Sequence, residues 1–411
     1  MRLLPLLLLL PPLAGLAGQP LALSEAETLW RQHSRELRLA RVGLDAARAE
    51  RMVAGQAPNP DVSLNVLSID TKHGVGGGSL SEKRIDSIFR LEQLVERGGK
   101  RELRVRGADA RVAAAAFDVD DLDRRQLGEL RKAYYALRLA QDRLALARDA
   151  AALNARSLEV ATRRRQAGDL APVDVSRLQI DLARAESDVA QAAADLEQAR
   201  FGLAYLVGRT ADAADLDAAD DWPALEAQAL NEAPLDRRPD LQAARRRVEA
   251  AEAERDLARA RRTRDLTLGI QYEHNMQNLP NDSVGFGVSV PLFINHEFEG
   301  EIARAEADLD AARVQYEQQQ ALAEVQRAQA RSALLAARER SRRLAGEVQD
   351  EAGRVARAAE FAYQKGAIGL TDLLDARRTA RQVAAEAAAA RAEYALALSE
   401  WQLQADYRKQ P

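Results

Sequence analysis

The sequence predicts a mainly α-helical fold with a small β part, built from two copies of one structural unit. Three observations predict it. Residues 161–208 and 359–405 each read as the end of a long polar helix, a glycine turn at Gly168 or Gly366, an acidic first turn and a second long helix, so one helical hairpin is written twice. Ahead of each copy lie two short segments of alternating polarity, 61–70 with 84–96 and 265–273 with 283–292. Aromatic residues make up only 4% of the chain and charged residues 30%, with Ala, Arg, Glu, Leu and Gln filling the long stretches, as in packed helices rather than a globular enzyme core.

The first residues, MRLLPLLLLLPPLAGLAG, carry one basic residue, a leucine-rich core and then small residues. That is the build of a secretory signal peptide over 1–20, with cleavage expected within Ala17–Ala22. The apolar run is broken by Pro11 and Pro12, short of the ~20 residues a membrane-spanning helix needs, and no later run approaches that length. The chain has no cysteine, which excludes disulfides, thiolate metal sites and thiol catalysis. The net charge of −4 comes from interspersed signs without a basic run, so nucleic acid is not an expected partner. Arg163–Arg165 and Arg245–Arg247 read as solvated helix faces.

A first repeat is expected over 21–208. It opens with a helix to about Gln56, where Ser24 and Glu27 have capping-box spacing and Pro58 and Pro60 end the helix. The strands 61–70 and 84–96 are joined by the glycine-rich loop 71–83, and a long helix follows over 98–166. At 1.5 Å per residue that helix is roughly 100 Å long. The tip 167–172 leads into a helix about half as long, and the segment 209–236 reads as a linker at mid-height of the helices. The second repeat, 237–408, repeats the order: a short helix, strands 265–273 and 283–292, a long helix 297–365, a tip 366–370 and a final helix.

The strands carry the most information. Leu266, Leu268, Ile270 and Tyr272 alternate with polar residues, as do Val284, Phe286, Val288 and Val290. At about ten residues, such strands can cross a bilayer when tilted. Four strands cannot close a barrel, which needs about eight, and open edges are not tolerated in lipid. Other copies of the chain must complete them, and three copies of four give a twelve-stranded barrel continued by a helical cylinder. A small soluble β-domain packed on helices is the alternative, but no further strands exist to build its second layer.

This order resembles the TolC family of outer-membrane efflux proteins over nearly all of the mature sequence. The carriers are APNPDVSL at 57–64, QLVERGGKR at 93–101, RRPDLQAAR at 237–245, VPLF at 290–293 and KGAIGLTDLLDARR at 365–378. The GGKR segment and the charged helices are most similar to the subgroup serving heavy-metal cation exporters of the RND type. The resemblance implies a homotrimer in outer-membrane lipid with its helices in the periplasm. It also implies a periplasmic adaptor, an RND-type inner-membrane pump, and passive conduction of metal cations or small toxic compounds. No enzymatic activity and no cofactor are expected: no Ser/His/Asp set, Walker loop or dinucleotide fingerprint is present, and GVGGGS at 74–79 lies between strands. A periplasmic coiled-coil adaptor is the alternative reading.

By the same resemblance Asp372 and Asp375 would ring the periplasmic entrance, a design that favours cations. Acidic residues in a first turn also cap helices, and Asp174 after Pro172 reads the same way. Asp174 and Tyr363 match family gate positions, but the family's arginine shortly after the second tip glycine is Ile368 here. Arg163, Arg164 and Lys365 are candidates for a substitute lock. The tips, with Gly168, Asp169 and Leu170 and with Gly366, Ala367, Ile368 and Gly369, are where an adaptor would dock. His274–Asn275–Met276 is expected in an external loop with a structural or solvent role and not as a metal site.

Overall fold

A computed structural model describes residues 20–69, 72–79, 82–225, 232–276 and 281–405. The expected signal peptide lies outside the described residues except for Pro20. Among the described residues, eight α-helices and four strands run in the order α1 (Leu23–His33), α2 (Arg35–Ala54), β1 (Asp61–Leu67), β2 (Asp86–Val95), α3 (Lys100–Gln166), α4 (Pro172–Val207), α5 (Pro239–Ala260), β3 (Leu266–Asn275), β4 (Asn281–Ser289), α6 (Glu299–Arg342), α7 (Gln349–Gln364) and α8 (Leu370–Ala405). They fall into two compact units.

One unit comprises 39–121 and 235–322 and holds the sheet, whose antiparallel order is β1-β2-β3-β4. Register aligns apolar side chains into rungs across all four strands: Val62–Leu91–Ile270–Phe286 and Leu64–Phe89–Tyr272–Val284. Every one of these eight is exposed, Phe286 at 85%. The intervening rungs are mainly polar, apart from Ile88 and Leu94, with Ser63, Arg90, Gln271 and Gly285 in one row and Arg90 donating to Gln271 at 2.9 Å. The sheet is therefore two-faced, and its apolar face is uncovered.

The strand limits differ from the sequence reading for local reasons. β1 stops at Leu67 instead of running to Asp70, because Ser68 adopts a left-handed conformation (φ 62°) and bonds the Asp86 carboxylate at 2.6 Å. His274 and Asn275 lie in β3 and not in a loop, and His274 Nδ1 sits 2.6 Å from Asp282. At the sheet's foot, Gly98 has φ 75° and the turn passes so close to Thr263 that a Cβ would lie 2.9 Å from its side chain.

The other unit comprises residues up to 38, 122–234 and 323 onward. Along α3, Leu127, Leu130, Tyr134, Leu137, Ala140 and Leu144 recur at three- and four-residue steps and are buried against Leu196, Leu203 and Val207 of α4 and Trp30 of α1. Each fully buried Leu of this kind contributes about 1.5–3 kcal/mol. On the second hairpin Ala330 and Leu334 of α6 pack with Tyr394, Leu398, Trp401 and Ala405 of α8 in the same spacing. Leu21 pairs with Ala218, and the Tyr134 hydroxyl lies 3.0 Å from both the Leu21 carbonyl and an Asp220 carboxylate oxygen. Trp222 stacks on Tyr135 with ring centroids 6.0 Å apart and donates to Asp142 at 2.8 Å, pinning the segment after α4 to α3.

Three helix expectations are corrected. The first helix is two, because Ser34 takes an extended ψ and its hydroxyl accepts the Leu37 N–H at 3.1 Å, restarting the helix as α2. The Ser24–Glu27 capping box does not form: the N-cap is Ala22, and Glu27 is buried in an ion pair with Arg131 at 2.8 Å. The long second-repeat helix is interrupted by one π-helical turn, Arg343–Val348, between α6 and α7.

Candidate functional site at the paired hairpin tips

The α3–α4 and α7–α8 hairpins end together. Each descending helix closes with the same backbone device. Gly168 (φ 86°) and Gly366 (φ 75°) take the left-handed conformation after the last turn. Asp169 N–H then bonds the Arg164 carbonyl and Gly168 N–H that of Arg165, while Ala367 bonds Ala362 and Gly366 bonds Tyr363. Nothing lies within 4 Å of a Cβ added at either glycine, so the backbone angle alone selects glycine.

Beneath the turns lies one small core shared by both hairpins: Ala161, Val175, Leu178, Leu370 and Leu373 are buried, with Leu170, Tyr363 and Ile368 packed against them. Two of the seven tip residues, Leu170 and Ile368, are thus half-buried anchors, whereas Gly168, Asp169, Gly366, Ala367 and Gly369 are exposed.

The acidic residues occupy distinct surroundings. Asp372 is the third residue of α8, and its Oδ2 accepts the Gly369 N–H at 3.2 Å, reaching back over the helix start. Asp375, one turn on, is exposed on the rim of a groove of about 690 Å³ that also takes Arg177, Arg184, Arg378 and Arg381 from α4 and α8. Asp174 is half-buried in the first turn of α4 and lies 3.8 Å from Arg177.

Tyr363 is reached from the other hairpin. The Arg164 guanidinium lies over its ring, 5.7 Å from the centroid, with Nη1 3.5 Å from the hydroxyl. Arg163 instead pairs with Glu159 on its own helix, and Lys365 lies over Phe361 at 5.5 Å. A residue that sequence reasoning passed over is Arg377. It donates to Ser157 of α3 at 2.7 Å and to Glu360 of α7 at 2.9 Å, joining the two hairpins. Its place in the DARR run of α8 showed a cation but not its partners.

With this geometry fixed, likeness to known proteins becomes specific. Residues 28–209 and 230–405 match the model of the family described as outer membrane efflux protein. The chain belongs to that family. It is an efflux channel of the outer membrane with its helical part in the periplasm, and the match spans both strand pairs and both hairpins, which the adaptor alternative does not accommodate. Over 368 residues the channel is 27% identical to the cobalt-zinc-cadmium resistance protein CzcC of Cupriavidus metallidurans, covering 88% of this chain and 84% of that one. Among solved structures, the outer-membrane channel OprN matches with a TM-score of 0.75 and 27% identity over 93% of this chain and 89% of that one. The Campylobacter jejuni CmeC outer membrane channel shares the fold, with a TM-score of 0.78 at 16% identity over 93% and 85% of the two chains.

Proposed function

We propose that three copies of this chain form one passive exit duct for divalent metal cations, fed by an RND-type inner-membrane pump through a periplasmic adaptor. The observation that carries the reading is the two-faced sheet: four strands with an uncovered apolar side and two free edges, β1 and β4, call for completion by other copies in lipid. A twelve-stranded barrel meets that need. Likeness to a cobalt-zinc-cadmium resistance protein supports the cargo class. The duct makes and breaks no bond, and the pump supplies the energy.

At the tips, Asp372 and Asp375 form acidic rings around the entrance. The bond from Gly369 to Asp372 uses one carboxylate oxygen and leaves the charge in place, so capping and ring roles coexist. The entrance is held by a lock of this channel's own, in which Arg164 clasps Tyr363 across the hairpins in place of an arginine at position 368. Asp174 steadies the start of α4 beside it. The exposed glycine turns at Gly168–Asp169 and Gly366–Ala367, together with Gly369, receive the adaptor's own hairpin tip, while Leu170 and Ile368 fix the height of the turns from below.

Single-channel conductance of the purified protein in a planar bilayer tests these assignments. Asp372→Ala with Asp375→Ala should lower cation preference and divalent block. Arg164→Ala should lengthen openings without altering selectivity. Unchanged selectivity in the first variant would reduce both aspartates to helix caps.

A further inference from the structure

The apolar face of the sheet ends, at its helix side, on the pair Val95↔Leu266. The ladder stops there, and the residues two positions beyond it in each chain segment, Arg97 and Arg264, share the odd–even alternation of that face. Both side chains are exposed. Among the described residues neither guanidinium has a carboxylate partner. The adjacent acids are engaged: Asp265 with Lys100 at 2.8 Å and with the Arg97 backbone N–H, and Glu96 with Arg104. The Arg264 guanidinium lies over Phe293, 5.3 Å from its centroid, and Phe293 meets Phe298 edge to face at 5.2 Å.

Two like charges at the end of one sheet face repel, and an anion bound between or above them relieves that repulsion. A transmembrane barrel exposes an apolar band about 25 Å tall, flanked by aromatic residues where the headgroups begin. Arg97 and Arg264 follow the last apolar rung in sequence, and Arg264 lies over such an aromatic pair. They follow the two central strands, β2 and β3, so a neighbouring copy joined at β1 or β4 leaves them uncovered.

We propose that Arg97 and Arg264 form a clamp for the headgroup phosphate of an anionic phospholipid in the leaflet on the helix side of the barrel. Arginine suits the task because its planar fork binds two phosphate oxygens at once. The clamp fixes how deep the barrel sits and leaves the lumen untouched. It rests on the lipid-facing assignment of the apolar rungs, and the test separates the two.

The full-length protein is purified in detergent with added phosphatidylglycerol, or with diacylglycerol of the same chains as the phosphate-free control, and bound lipid is counted by native mass spectrometry. Wild type should retain phosphatidylglycerol over diacylglycerol. Arg97→Gln with Arg264→Gln should cut that retention about 30-fold, from two basic groups at a membrane surface. Arg97→Lys with Arg264→Lys should keep part of it, since the charge stays and the two-oxygen fork is lost. Heat-resistant oligomers on a gel and channel activity in a bilayer report whether each variant assembles and inserts. If the double glutamine variant does not assemble, Arg97→Gln alone is read, and a fall in retention supports the clamp. Equal retention by an assembled glutamine variant, or retention of lipid A in preference to phosphatidylglycerol, overturns it. A wild-type protein that inserts and conducts but shows no phosphate preference overturns the clamp alone, whereas failure to insert at all overturns the lipid-facing reading.

Discussion

The two hairpins end in the same glycine motif and share one tip core, but their long helices are built differently. α3 runs for 67 residues without interruption, whereas its counterpart is 44 residues of α6, a six-residue π turn and 16 residues of α7. A π turn accommodates one extra residue while the helix on either side keeps its face. Its loosened backbone is held from α8, where Arg391 lies 3.4 Å from the Ala345 carbonyl and donates to Gln349 at 2.8 Å. Tips with the same glycine turn thus sit on one unbroken, stiff arm and on one arm with a π turn, where bending of the second hairpin is expected.

Deletion of one residue should separate the arms most sharply. Removing Arg148 from α3 turns everything beyond it by about 100° and takes Ala161 out of the tip core, so assembly should fail on a gel. Removing Gly346 should convert the π turn to plain α-helix, keep both faces in place, preserve assembly and raise amide protection around Ala345–Gln349 in hydrogen exchange. Equal damage from both deletions would abolish the distinction.

A smaller effect is expected from the tie between the arms. Arg377→Ala removes two hydrogen bonds from a charged donor, costing about 2–3 kcal/mol, and should lower Tm and lengthen channel openings. Arg377→Lys should recover part of the stability but not both contacts. Smaller still, and equal in the two arms, is the cost of Gly168→Ala and Gly366→Ala: about 1 kcal/mol each by denaturant unfolding, because only the left-handed backbone opposes the new Cβ.

The least effect at neutral pH concerns Tyr134, on the stiff arm. Burial pushes its hydroxyl up to about 12, so the folded protein holds this proton more tightly than the unfolded chain. The stabilisation is complete below about pH 10, the ordinary tyrosine value, and is lost as pH rises from there toward 12. Tyr134→Phe should flatten that alkaline decline in a Tm-versus-pH series.

Much of this was legible in sequence because it is periodic. The steps from Leu127 to Leu144 mark a helix seam, and the alternation in 266–272 marks a two-faced strand. What was not legible depended on partners distant in sequence. Glu27 looked like a cap because Arg131, which captures it, lies 104 residues away. Arg377 looked like one more surface cation because Ser157 is 220 residues away. Arg164 was one of three cations near the tip, and only the fold shows which of them reaches Tyr363.

The central claim is that free edges β1 and β4 of different copies join into one barrel. The absence of native cysteine makes cross-linking a direct test. Ser63→Cys on β1 should be combined in turn with Ser283→Cys, Gly285→Cys or Gly287→Cys on β4, all on the polar face. Oxidation in membranes should yield a covalent trimer for at least one pair. Membrane-inserted protein that stays monomeric on denaturing gels for every pair would contradict the account.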